Sequence, residues 1–396
     1  MAIILFDDNA HLTLLPLTFT RPVANLRIGI LTIAEKWSKL FKQDYSYYTQ
    51  AYLQAKYPLK AEPENLLVNG SVCPDERLAG AIIQLKSGQA LKHENVLLAV
   101  NLPESELSNF NWKSEFEDTL NYPHNFTCIR NPEDIFKQND LELKRDFELL
   151  TKGRSSAPVS STNVILGNQF FAEEGAEAEC STFNTKKGPI YLGKQTEVWE
   201  GSHIRGSFAL CENSQVKMGA KIYGGTTIGP YSRVGGEINN AVIWGYSSKG
   251  HEGYLGNSVV GQWCNIAADS NNSNLKNNYS EVKLWSYALK RFRKTGLQFC
   301  GLIMADHAKC GINTMFNTGT VVGVSANVFG SGYPQNFVPD FAWGGAQGFE
   351  TYTLGKMLDT AQRVYERKNA AVDEVERQLL THVFELTEQY RKEYFI

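Results

Sequence analysis

The stretch LGKQTEVWEGSHIRGSFALCENSQVKMGAKIYGGTTIGPYSRV, Leu192 to Val234, decides the fold. Every sixth residue is apolar: Leu192, Val198, Ile204, Leu210, Val216, Ile222, Ile228 and Val234. A helix repeats near 3.6 residues and a half-buried strand at 2, so neither produces this beat. Six residues fit one flat face of a parallel β-helix: a short strand with its central apolar side chain inward, then a turn. Three faces make one coil, and stacked coils bury a continuous apolar column. The beat resumes at Tyr254, Val260 and Ile266, and again at Met304, Cys310, Phe316, Val322 and Val328. This phase places Tyr254 inward and reads 235–253 and 267–303 as loops leaving the prism.

The flanks have a different character. Upstream, AIILF (2–6), NLLVNG (65–70) and NVLLAV (95–100) read as buried strands. Helical patterns lie between them at Ile30–Lys42 and Ala79–Lys86, the alternation of an α/β sheet domain. Residues 151–163 are small and polar, a linker composition. From about Leu354 the apolar spacing becomes helical, with Asn369 as a candidate break between two helices. The organisation expected is therefore an α/β domain over 1–155, a β-helix over 156–350 and a helical segment over 351–396.

The chain has 396 residues, 42% hydrophobic and 20% charged, with net charge −3. This balance offers no basic surface for nucleic acid or anionic membranes. The N-terminus lacks the pattern of a signal peptide, and no apolar run is long enough to span a bilayer. Seven scattered cysteines without a C-x-x-C pair read as reduced thiols of a cytoplasmic protein.

The segment GHEGYLGNSVVGQWCNIAADSNNSNLKNNY, 250–279, resembles the acetyltransferase half of the bifunctional N-acetylglucosamine-1-phosphate uridylyltransferase / glucosamine-1-phosphate N-acetyltransferase family. His251, Tyr254, Gly256 and Asn257 match its H-x-x-Y-x-G-[DN] element, and CNIAADS (264–270) stands where that family has V-N-[IF]-G-A-G-T. LTLLPLTFTRPVANLRIGILTIAEKW (12–37) resembles the opening of sugar-phosphate nucleotidyltransferases, in the short form found in bacterial fused proteins.

The resemblance implies a left-handed hexapeptide prism, assembled as a homotrimer, and two reactions of UDP-N-acetylglucosamine synthesis. In the first, acetyl-CoA acetylates glucosamine 1-phosphate. His251 would be the base, a role suited to imidazole. Tyr254 and Asn265 would lie at the reacting centre, the amide of Ala268 would supply an oxyanion donor, and Lys221, Glu237 and Asn274 would contact the sugar phosphate. In the second, a nucleoside triphosphate, UTP, reacts with N-acetylglucosamine 1-phosphate. Arg21 and Arg27 would hold phosphates, and Asp7 and Asp8 would bind Mg²⁺, with Asp75 and Asp134 as further acidic candidates.

The chain departs from the family at both ends. FDDNAHLTLLPL has no Gly-rich phosphate loop, RP (21–22) is not followed by the family's lysine, and Lys221 replaces an arginine. An acetyltransferase with a non-catalytic sugar-nucleotide-binding front domain therefore stands as an alternative. A non-enzymatic structural prism is another. A γ-carbonic-anhydrase type of metal site needs three closely spaced histidines, whereas His203, His251 and His307 are 48 and 56 residues apart.

Overall fold

The computed structural model describes residues 1–394. The chain divides into two compact units: residues 1–14, 20–26 and 31–131 in the first, and residues 15–19, 27–30 and the chain from Pro132 onward in the second.

The first unit is an α/β sheet. Its six strands lie in the order Tyr45–Tyr48, Ala2–Phe6, Glu64–Asn69, Val96–Pro103, Gln89–His93 and Asp118–Asn121. Ala2–Phe6 is buried along its whole length and has parallel neighbours on both sides, which explains its unbroken apolar sequence. Helix Ile33–Phe41 begins at a capping box: Thr32 Oγ1 accepts from Glu35 N–H, and Glu35 Oε2 accepts from Thr32 N–H. Helix Glu76–Ile83 is capped by the side chain of Asp75.

The second unit is built on a parallel β-helix of the hexapeptide kind, consistent with the left-handed form. Its coils have three faces. Face A carries Ile190–Leu192, Phe208–Leu210, Thr226–Ile228 and the strands stacked above them; face B carries Glu197–Val198, Gln215–Val216, Arg233–Val234 and their successors. Face C carries His203–Arg205, Lys221–Ile222, Glu237–Ile238 and Tyr254–Gly256. The eight residues of the sequence ladder are all at most 2% exposed and share one core.

The interval 235–253 does not leave the prism. The register steps by 18 residues from Val216 to Val234 but only 15 from Val234 to Lys249. Face C likewise steps from Ile222 to Ile238 and then to Leu255. Shortened turns keep the chain on the prism, and the inward residues that follow are Leu255 and Val260, five residues apart instead of six. Leu255 therefore faces the core, and Tyr254, half-buried, faces outward. The later interval does leave. After Asn271–Asn272 the chain forms an antiparallel hairpin, Lys283–Ser286 with Arg291–Lys294, and rejoins face A at Ile303–Met304.

The A–B corners use left-handed residues: Tyr231, Tyr246, Trp263 and His307 have φ of 59, 61, 62 and 62°. This conformation is costly for residues with a Cβ. Here the rings stack, Tyr231 on Tyr246 at 4.9 Å and Tyr246 on Trp263 at 4.2 Å. Tyr365 stacks on Trp263 at 3.8 Å, docking the C-terminal helices Leu354–Glu366, Glu374–Leu386 and Glu388–Tyr394. Asn369, at φ 55°, lies between the first two. Helix Pro132–Thr151 lies on face A, where Asn139 Nδ2 donates to Gly225 O at 2.8 Å and Thr227 Oγ1 at 3.0 Å.

Candidate active site

The face-C register sets Lys221, Glu237 and Tyr254 side by side on three successive coils, all on the outer side of the wall. Neighbouring strands are about 4.8 Å apart, so these side chains form one short file. Asn239, two residues beyond Glu237, lies on the same side, in register with Gly256. Lys221 Nζ reaches Glu252 Oε2 at 3.9 Å, an exposed pair at the neighbouring B–C corner.

Tyr254 is held on all sides. Its hydroxyl accepts from Asn274 Nδ2 at 2.9 Å, and the same amide donates to Asn257 Oδ1 at 2.7 Å. Its ring lies over Gly256, where an added Cβ would come within 2.3 Å of the hydroxyl. Glycine is thus what lets the tyrosine fold back along its own strand. Burial raises the phenol's pKa, so it stays protonated at neutral pH. Above this strand the chain is about to leave the prism, and two side chains replace the missing ladder. Asn271 Oδ1 accepts Tyr254 N–H at 2.7 Å, and Asn272 Oδ1 accepts Gly256 N–H at 2.8 Å.

His251 is exposed at the B–C corner preceding Tyr254. Its carbonyl accepts from Lys249 Nζ at 2.8 Å, while its imidazole has no hydrogen-bond partner among the described residues. Ala268 occupies the corresponding corner one coil on, where Asp269 N–H donates to Glu252 O at 3.0 Å. The carbonyl of Ala268 accepts from Asn313 N–H, and its own N–H meets no acceptor among the described residues. Asn265 stands apart from this group. It is exposed on face B, in register with Ser248 and Lys309. The structure thus gathers Lys221, Glu237, Tyr254 and Asn274 on face C, sets His251 and Ala268 on the corner leading to it, and places Asn265 on the adjacent face.

In the first unit the candidate residues are committed to the fold. Asp7 is 8% exposed; Oδ1 accepts Val23 N–H at 2.8 Å, Oδ2 accepts the Thr49 hydroxyl at 2.5 Å, and His11 Nδ1 lies 3.1 Å from Oδ2. Asp8 accepts Ala10 N–H and the Asn69 side-chain amide. A resident Mg²⁺ held by this pair does not fit such a donor set, because Asp7 points both oxygens into the protein. Among the described residues no group of three or more His, Cys, Asp or Glu side chains is placed to hold a metal ion. Arg21 is buried. In the second unit Arg27 Nη1 donates to Ile30 O, and its carbonyl accepts from Trp244 Nε1. Asp75 is the helix cap noted above, and Asp134 sits in the first turn of Pro132–Thr151.

Residues 3–155 match the sugar nucleotidyl transferase family. The bifunctional protein GlmU of Methanocaldococcus jannaschii is 30% identical over 87 residues, which span 22% of this chain and 21% of that protein. The match thus covers about a fifth of the relative's length. Among solved structures, the UDP-N-acetylglucosamine acyltransferase of Francisella novicida aligns over 60% of this chain and 87% of its own, at 13% identity and a TM-score of 0.29. The Arabidopsis UDP-N-acetylglucosamine acyltransferase aligns over 59% and 90%, at 15% identity and a TM-score of 0.26. No helix among the described residues is long and apolar enough to cross a membrane.

Sequence reasoning missed three residues here: Lys249, Asn239 and Asn272. The polar run NNSN (271–274) was the available signal for Asn272, the one of its first two asparagines that takes an inward place in an apolar column.

Proposed function

We propose that the chain is a sugar-nucleotide transferase whose prism acetylates an amino-sugar 1-phosphate, glucosamine 1-phosphate, from acetyl-CoA. The observation that carries this reading is the face-C file, with Lys221, Glu237 and the Asn274-bonded Tyr254 in register beside the His251 corner. Lys221 supplies a cation for the phosphate and Glu237 an acceptor for sugar hydroxyls. The amine nitrogen attacks the thioester carbonyl while His251 takes its proton. The amide of Ala268 steadies the oxyanion. The carbon–sulfur bond then breaks, and the proton passes from His251 to the departing thiolate. Such sites work by holding both reactants in line, and a trimer in which neighbouring prisms complete each cleft suits that requirement.

The front segment is proposed to bind the sugar nucleotide and to transfer a uridylyl group from UTP to N-acetylglucosamine 1-phosphate, a reading supported by the family match over 3–155. A second reading keeps only the acetyl transfer. It is favoured by the commitment of Asp7 to Val23 and Thr49 and by the absence of glycine before Gly29.

One panel tests both. Thiol release from acetyl-CoA and pyrophosphate release from each nucleoside triphosphate are measured over gluco and galacto amino-sugar 1-phosphates. No thiol release with any amino sugar sinks the first reading. Thiol release without pyrophosphate release selects the second.

A further inference from the structure

Lys249 stands inside the prism. Along face B the inward residues Val198, Val216, Val234 and Lys249 succeed one another in register, and Ile266, Cys310 and Val328 continue the file. Lysine is the one charged residue in this file, and it is 2% exposed. A buried ammonium is disfavoured unless it is hydrogen-bonded, and desolvation pushes its pKa down to about 8. A valine or methionine would fill the same place without that penalty.

The ammonium contributes two bonds, one to each of two stacked corners. Nζ donates to Gly235 O at 3.0 Å and to His251 O at 2.8 Å. The corner it grips is Gly250-His251-Glu252-Gly253, with a glycine on each side of the His251–Glu252 pair. Gly253 is required as glycine: its φ is 122°, and a Cβ would come within 2.2 Å of Ser270 O. Glycine-flanked backbone loses the most freedom when it is fixed, so this corner needs a tether. The imidazole has no hydrogen-bond partner among the described residues; Asp269 N–H and Glu237 N–H hold the Glu252 and Gly253 carbonyls, and the bond to the His251 carbonyl itself comes from the core.

We propose that Lys249 is a positioning residue: clamping the Gly235 and His251 carbonyls from within the prism, it fixes the direction in which the His251 imidazole leaves the wall. This rests on the reading of His251 as the acetyl-transfer base.

The test uses the full chain with K249M, and with K249V as a second variant that copies the rest of the column. Steady-state acetyl transfer to glucosamine 1-phosphate is measured together with amide hydrogen exchange at Glu237 and Asp269, whose N–H groups donate to Gly253 O and Glu252 O of the corner. The folded variant should melt at or above the wild-type temperature. Its kcat should fall about tenfold or more with both KM values within about twofold, since misplacement of a reacting group costs turnover rather than binding. Exchange at these two amides should rise about tenfold as local opening becomes easier. K249Q, which keeps a donor, should recover part of the kcat. Wild-type kcat in a folded K249M or K249V protein overturns the proposal, and so does a fall in kcat with unchanged exchange. If the wild-type chain does not acetylate glucosamine 1-phosphate, the functional reading falls by itself. The exchange measurement then decides the clamp: a rise in the variant supports it, and no change overturns it.

Discussion

Tyr254 and Asn274, twenty residues apart, are joined by a hydrogen bond of 2.9 Å from the asparagine amide to the phenol oxygen. The tyrosine belongs to the face-C strand Tyr254–Gly256, and the asparagine lies where the chain departs from the prism after Asn272. The bond therefore sets one edge of the candidate site at the place where the repeat is interrupted. With its oxygen accepting from Asn274, the phenol keeps its own proton free to donate to a substrate. Tyr254→Phe should lower kcat/KM for acetyl transfer about tenfold, as expected for loss of one directed donor, and change unfolding free energy by only about 1 kcal/mol. Steady-state kinetics and urea denaturation of the same preparation separate the two effects.

Asp7 gives a contrasting expectation. Its oxygens close the start of the first unit onto Val23 and Thr49. Asp7→Ala leaves a buried donor on each of those residues, so the first unit should lose about 2–3 kcal/mol of stability. Asp8→Ala, at a half-buried position, should cost less. Urea melts followed by far-UV circular dichroism compare them; equal and small losses would mean that Asp7 is not the structural acid described above.

Glu133 and Arg293 form a two-pronged ion pair, with Nη–Oε distances of 2.6 and 2.5 Å and side chains 5% and 18% exposed. It ties the hairpin to the start of helix Pro132–Thr151. Removing one partner strands the other charge, so Glu133→Gln should destabilise the second unit by about 3 kcal/mol. The double variant Glu133→Gln/Arg293→Met should lose less than the sum of the two single changes. A double-mutant cycle from chemical denaturation measures the difference.

His307 is buried beside the stacked Trp263–Tyr365 pair, its ring centroid 6.5 and 6.1 Å from theirs, with Glu376 Oε1 3.7 Å from its Nε2. Burial lowers its pKa, and the opposing pull of Glu376 does not reverse the direction, with Lys309 and Asp306 the other charges nearby. The unfolded chain thus takes up this proton near pH 6.5 and the folded chain only at lower pH. Stability is then present above about pH 6.5 and lost as pH falls through that value. The melting temperature should drop between pH 7.5 and 5 in the wild type and drop less in His307→Gln. A pH-independent difference between the two proteins would contradict this account.

The prism was legible because one apolar residue per six has a single economical explanation, and Leu192 to Val234 keeps that spacing without error. Phase was lost after Val234 because the turns around Ile238 are short, and counting back by six from Val260 lands on Tyr254 instead of Leu255, which is only five residues before it. The same template could not find Lys249 or Asn272, since it admits only apolar residues to the column. The motif singled out His251 and Tyr254 as candidates. The pairing of Asn239 with Gly256 was not legible, because it depends on strand register. An acid after the first strand looks the same in sequence whether it faces a ligand or, like Asp7, the backbone of Val23.

The chain leaves face C after Asn272 and returns at Gly301, whose N–H donates to Asn257 O at 2.8 Å; the ladder continues across the gap from Val260 to Met304. The excursion is a parenthesis: what comes before it and what comes after are already bonded to each other. Covalent continuity at Leu289–Lys290 is therefore dispensable to the stack, and the prism could be supplied as two polypeptides that meet along an existing seam.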